Sequence, residues 1–138
     1  MADEIVAVEE LYQVRRLQVS CGYPAVPTAT VELRLPNGEE RMEVATGTGP
    51  VDACYKAISR MVDVPVRLAE YSVRSVTSGI DALGEVAVRI DSAGRTFHGR
   101  GADPDIIVAS AKAYLNALNK AAAAPRQVAE RVETGVGV

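Results

Sequence analysis

From Thr28 to Leu35 apolar and polar residues alternate without a break, Ala29, Val31, Leu33 and Leu35 falling on one side and Thr30, Glu32 and Arg34 on the other. A period of two predicts a half-buried strand. Pro36-Asn37-Gly38 has turn chemistry, and Arg41 to Thr46 returns as a second strand with Met42 and Val44 assigned to its apolar side, giving a hairpin. Ahead of it, Leu17, Val19 and Cys21 alternate and stop at Gly22-Tyr23-Pro24, which predicts a first strand starting near Tyr12. After the hairpin, Gly47-Thr48-Gly49 leads into Pro50, a residue suited to the first helical turn because its missing N–H has no intrahelical partner there. Val51, Cys54, Ile58 and Met61 then share one face at helical spacing, so the helix is predicted over Val51 to Val62.

The second half repeats this order. Tyr71 and Val73 belong to a strand, Val86, Val88 and Ile90 alternate in the next, Ser92-Ala93-Gly94 turns the chain, and Arg95 to His98 forms a shorter return strand. Gly99-Arg100-Gly101 reads as a second GxG turn, followed by Asp103 as N-cap and Pro104 at the first position of a helix reaching about Ala122. The fold class predicted is α+β: two pseudo-twofold related strand-strand-strand-helix units, each an antiparallel three-stranded sheet with its helix on one face. The whole chain, 1–138, is taken as one domain, with units at about 12–62 and 68–120 and a flexible tail over 121–138. Ile5, Val6 and Val8 are placed in a possible extra helical turn at the start. In the second helix Lys112, Asn116, Asn119 and Lys120 make one narrow polar stripe. Its apolar surplus is wider than a sheet alone needs, and is assigned to a second subunit or to the other half.

Composition narrows the classes. The 138 residues are 48% hydrophobic and 24% charged, within the globular range. A net charge of −3, no Trp and one Phe argue against nucleic acid, whose binding rests on clustered Lys and Arg and on stacking rings. Met1-Ala2-Asp3-Glu4 is acidic where a secretory signal is basic, and the apolar runs are too short for a bilayer, so the expectation is a cytoplasmic protein with no membrane partner. Cys21 and Cys54 fit no metal or redox spacing and are both read as buried small hydrophobes. No metal and no cofactor is expected.

A GxG turn before a helix offers backbone N–H groups and the positive end of the helix dipole to an anion. Gly47-Thr48-Gly49 lacks the Lys-Ser/Thr of a phosphate loop, and Asp52 stands where a dinucleotide fingerprint needs its third glycine, so nucleotides are disfavoured. Two such turns in corresponding places would set two helix N-termini around one small anion, and Gly49→Val is expected to block the first. Asp52 has two readings, a favourable partner of the helix dipole or a salt-bridge partner for a ligand ammonium. Asp81 and Glu85 read as solvated loop carboxylates, and His98, the single histidine, as a structural strand residue. No catalytic residue is identified.

Several strings, in order, resemble one family: Thr28-Ala29-Thr30-Val31, Gly47-Thr48-Gly49-Pro50-Val51-Asp52-Ala53, Tyr71-Ser72-Val73, Asp81-Ala82-Leu83-Gly84-Glu85, and Ala109 through Asn119. Together they are similar to the carboxy-terminal regulatory domain of 2-isopropylmalate synthase, over about Tyr12 to Lys120; citramalate synthase carries a related domain that responds to isoleucine. The resemblance implies a non-catalytic homodimerisation module that binds leucine, or isoleucine, near its interface and inhibits an acyltransferase whose (β/α)₈ barrel of about 250 residues is a separate domain. Carried over by motif, the effector site comprises Gly47, Thr48, Gly49, Val51, Asp52, Leu68, Tyr71, Ser75, Asp81, Ala82, Gly101 and Ala102. Thr48 stands where the family commonly has an acidic or amide side chain, and Tyr23 where it commonly has Asn. A dimerisation module without an effector is the alternative.

Overall fold

The computed structural model describes residues 10–75 and 83–124. Three strands, β1 (Gln13–Ser20), β2 (Thr28–Arg34) and β3 (Glu40–Thr46), precede helix α1 (Pro50–Ser59); β4 (Arg67–Ser75), β5 (Gly84–Ser92) and β6 (Arg95–Asp103) precede α2 (Ile106–Ala123). Each triplet is an antiparallel sheet in sequence order, β1-β2-β3 and β4-β5-β6. This is the α+β, two-unit fold that the alternation predicts. The duplication extends to irregularities: β1 carries a register shift between Val14 and Arg16, and β4 carries one between Leu68 and Glu70.

The core lies between each sheet and its helix and continues from helix to helix. Ala29, Val31 and Leu33 of β2 and Val86, Val88 and Ile90 of β5 are buried under α1 and α2. The wide apolar girth of α2 is used inside the chain. One side lies on β5 and β6, and Tyr114 stacks on Tyr55 of α1 with ring centroids 4.2 Å apart, a contact of about 0.5–1.5 kcal/mol beyond area burial. Asn119, also on α2, is buried because its amide serves as a strand mimic for Tyr12: Oδ1 accepts from Tyr12 N at 2.8 Å and Nδ2 donates to Tyr12 O at 3.2 Å.

Four expectations are corrected. Met42 and Val44 are half exposed on the outer face of β3; the register sets Ala45 opposite Ala29 and Glu43 opposite Val31, so the helix side of β3 is the Glu43/Ala45 side. Cys21 is exposed where β1 ends, while Cys54 is buried, its thiol pushed up to about 12 by desolvation. The return strand β6 does not stop at His98 but runs to Asp103, and Gly99-Arg100-Gly101 is strand rather than turn. The α2 N-cap is accordingly Asp105, with Asp103 and Pro104 before the helix.

The glycines of β6 have a packing reason. A Cβ on Gly99 would meet Ala113 O and lie 2.6 Å from Ala117 N, and one on Gly101 would meet Ala109 O and lie 2.6 Å from Ala113 N. They let α2 approach the strand backbone. Ladder partners fix the true correspondence: Val31 faces Leu17 and Glu43, and Val88 faces Tyr71 and Gly99. Gly99 and Gly101 therefore correspond to Glu43 and Ala45, and the counterpart of Gly47-Thr48-Gly49 is Asp103-Pro104-Asp105. The two-residue turn before β6 is Ala93-Gly94 with φ of 52° and 78°, a conformation that suits a tight hairpin.

Candidate functional site

The β3–α1 corner is held by its own side chains. Asp52 Oδ2 accepts from Thr48 N at 2.9 Å and pairs with Lys56 Nζ at 3.1 Å, which closes Gly47-Thr48-Gly49 against the first helical turn. These contacts, the Thr48 amide foremost, hold the Asp52 carboxyl below its ordinary pKa. In this structure the Asp52 carboxylate partners the loop amide and Lys56. Gly47 is the sterically required glycine, since a Cβ there would lie 2.5 Å from Ala53 N and 2.6 Å from Asp52 Oδ2. Gly49 is different. Its backbone is extended, φ −160° and ψ 176°, and nothing lies within 4 Å of an added Cβ. The expectation that Gly49→Val blocks the corner is therefore corrected.

What Gly49 leaves is an open helix end. As N-cap it has no side chain to give, and the first intrahelical bond is Ala53 N to Gly49 O at 2.9 Å, so the N–H groups of Val51 and Asp52 precede the ladder. The counterpart in the second unit is closed. Asp105 Oδ1 accepts from Ile107 N at 2.8 Å and from Val108 N at 3.4 Å. The expected pair of helix N-termini around one anion is thus a single open one.

On β4, Leu68, Tyr71 and Val73 lie on the same side as buried Ile90, Val88 and Val86, yet these three are 38–47% exposed because α2 covers that face over β5 and β6 rather than over β4. The Tyr71 ring meets the edge of Tyr55 at 6.1 Å, and Tyr55 sits one turn after Val51 on the same helix face. Val51, Tyr71 and Leu68 are thereby brought to one side of the molecule. Ser110 ties this cluster to α2. Its hydroxyl donates to Ile106 O at 2.7 Å, so in the 2.7 Å bond with Tyr71 the phenol is the donor, and Ser110 O accepts from Tyr55 Oη at 2.8 Å. Ser59 Oγ and Tyr114 Oη share a further bond of 2.7 Å. Burial pushes the Tyr55 and Tyr114 hydroxyls above their ordinary pKa, so both stay neutral.

Of the other residues named from sequence, Ser75 ends β4, and Gly101 and Ala102 lie on β6, at the opposite edge of that sheet and away from Tyr71. Asp81 and Ala82 lie outside the described residues, as do Ile5, Val6, Val8 and the tail beyond Ala124. Sequence reasoning missed Tyr55, Ser110, Tyr114 and Asp105. The spacing of Ser110 and Tyr114, four apart on one helix face, was the available signal; their partners on α1 and β4 were not.

A sequence family described as the LeuA allosteric (dimerisation) domain matches residues 1–122. The chain belongs to this family. It is 59% identical over 120 residues to a 2-isopropylmalate synthase of Gloeobacter violaceus, covering 87% of this chain and 22% of that protein. It is also 58% identical over 122 residues to a 2-isopropylmalate synthase of Synechocystis, 88% and 23% of the two chains. This LeuA allosteric domain thus spans under a quarter of the length of the curated relatives it matches. Among its described residues no group of His, Cys, Asp and Glu is arranged to hold a metal, and no helix is long and apolar enough to cross a membrane.

Proposed function

We propose that this LeuA allosteric domain is a non-catalytic sensor that binds leucine between two copies of itself and, joined to a 2-isopropylmalate synthase catalytic barrel, inhibits leucine biosynthesis by its end product. The observation that carries the reading is the contrast between the helix N-termini. Where the second unit closes Ile107 N and Val108 N with its own carboxylate, the first unit has Gly49 and leaves Val51 N and Asp52 N for a carboxylate from outside. An amino acid supplies that group, and its aliphatic side chain suits the apolar row of Leu68, Tyr71 and Val73.

Energetics explain why a second copy belongs in the reading. Burying a leucine side chain contributes about 1.5–3 kcal/mol, and charge-assisted hydrogen bonds about 1.5–3 kcal/mol each, against an association cost of several kcal/mol. The row on β4 is open on one side, so full burial needs a covering wall. A homodimer provides the wall and makes leucine binding and interface geometry interdependent, which is how an effector shifts an equilibrium between arrangements. The test is isothermal titration with leucine, isoleucine and valine, with mass measured by light scattering in the same buffer. Saturable leucine binding to a dimer is expected; a folded dimer that takes up none of the three overturns the sensor reading.

A further inference from the structure

The polar stripe on α2 has a task the sensor reading does not use. β6 is an edge strand, and such an edge offers its unpaired backbone groups to any other strand. Here three of those groups are taken by side chains of α2. Lys120 Nζ donates to His98 O at 2.8 Å, Arg100 N donates to Asn116 Oδ1 at 3.1 Å, and Lys112 Nζ reaches Ala102 O at 3.5 Å while paired with Asp103 at 3.1 Å. Residues 98, 100 and 102 are the alternate positions of β6 that turn their N–H and C=O away from β5, and residues 112, 116 and 120 are successive turns of one helix face. The periods match because α2 lies along β6, at the close approach that Gly99 and Gly101 allow. The first unit uses a smaller version, Arg60 Nη1 donating to Val44 O of edge strand β3 at 2.6 Å.

We propose that Lys112, Asn116 and Lys120 form an edge guard that closes β6 to strand addition by β6 of a second copy of this chain, and so confines self-association to other surfaces. The occupant excluded is a second copy because β6 is an extended edge strand over Arg95–Asp103, and an identical strand brings the same outward backbone groups to an antiparallel, two-fold pairing. The guard is independent of leucine.

The test replaces all three residues by alanine and follows weight-average mass against concentration by light scattering, with circular dichroism to confirm the fold. The parent keeps one finite assembly, while the triple variant is expected to rise by about twofold or more over the same range. Adding Arg100→Pro to the triple variant should restore the parent mass, since that N–H points outward and its loss spares the β5 ladder. A triple variant with the parent's mass, or one whose growth survives Arg100→Pro, overturns the proposal. If the triple variant does not fold, Asn116→Ala is compared with Asn116→Asp, which keeps an acceptor for Arg100 N: growth in the alanine variant alone supports the guard, and the same mass in both refutes it.

Discussion

Gly49→Asp installs in the first unit the cap that the second unit already has. The site tolerates it: φ and ψ are in the extended region that N-caps adopt, and an added Cβ has open space around it. The new carboxylate would accept from Val51 N and Asp52 N as Asp105 accepts from Ile107 N and Val108 N. Glycine is already a fair N-cap, so the gain in stability is a few tenths of a kcal/mol. The effect on a bound amino acid is larger. Its carboxylate would lose charge-assisted hydrogen bonds of about 1.5–3 kcal/mol, weakening binding about 10- to 100-fold.

The full series separates this cause from general damage. Gly49→Ala leaves the N–H groups open and weakens the cap, Gly49→Asn closes them without charge, and Gly49→Asp closes them with it. Leucine affinity by titration calorimetry is expected to fall in the order Gly, Ala, Asn, Asp, whereas melting temperature is lowest for Ala and highest for Asp and Asn. From the Ala variant to the Asn and Asp variants, stability thus rises while affinity falls. A Gly49→Asp chain that binds leucine as the parent does would refute the placement of a ligand carboxylate at the α1 N-terminus.

Gly99→Ala should destabilise the chain by about 1–3 kcal/mol in denaturant unfolding, because the new methyl meets the α2 backbone and the helix must lift from β6; an unchanged midpoint would show that α2 has slack there. Ser110→Ala removes the acceptor of the Tyr71 phenol, and a double-mutant cycle with Tyr71→Phe should give a coupling of about 0.5–1.5 kcal/mol; additive losses would mean the two side chains do not interact in solution. Asp52, held below the ordinary carboxylate pKa by the Thr48 amide and Lys56, stabilises the fold above that ordinary value and loses the contribution as pH falls through its folded-state value. The unfolding curves of the parent and Asp52→Asn should therefore differ at neutral pH and converge in acid, and a constant gap would sink the assignment.

The sheets were legible because each has one buried face, and a period of two cannot hide over seven or more residues. The β3 facing was not, since Met42 and Val44 are the larger apolar residues of that strand while Ala45 is the one under the helix. Only the register, set by the turn at Asn37-Gly38, decides which side faces in. The second GxG misled for a related reason. Glycine reads as a turn in one dimension, but at Gly99 and Gly101 it marks the approach of a helix from a distant part of the chain. The network of Tyr55, Tyr71, Ser110 and Tyr114 joins α1, β4 and α2, so no local pattern could assemble it.

Correcting the alignment of the halves changes what the duplication means. Matching GxG to GxG made the units equivalent and implied two equal helix N-termini around one anion. Matching ladder to ladder sets Gly49 against Asp105 and makes them unequal at the one position where a helix meets an outside group. The unequal position starts the helix whose Tyr55 meets Tyr71 of the open apolar row on β4, whereas the closed α2 terminus leads into a helix whose polar stripe guards β6. One copy of the unit thus supplies the receptive end and the other the rigid support, with the hydrogen bond from Tyr55 Oη to Ser110 O between them. If that division is right, Asp105→Gly should open the second terminus and cost stability, by about a few tenths of a kcal/mol, without creating a second leucine site, because β6 at that end has no apolar row comparable to Leu68, Tyr71 and Val73. A stoichiometry of two leucines per chain in that variant would show that an open terminus alone suffices, and that the apolar row is not what selects the ligand.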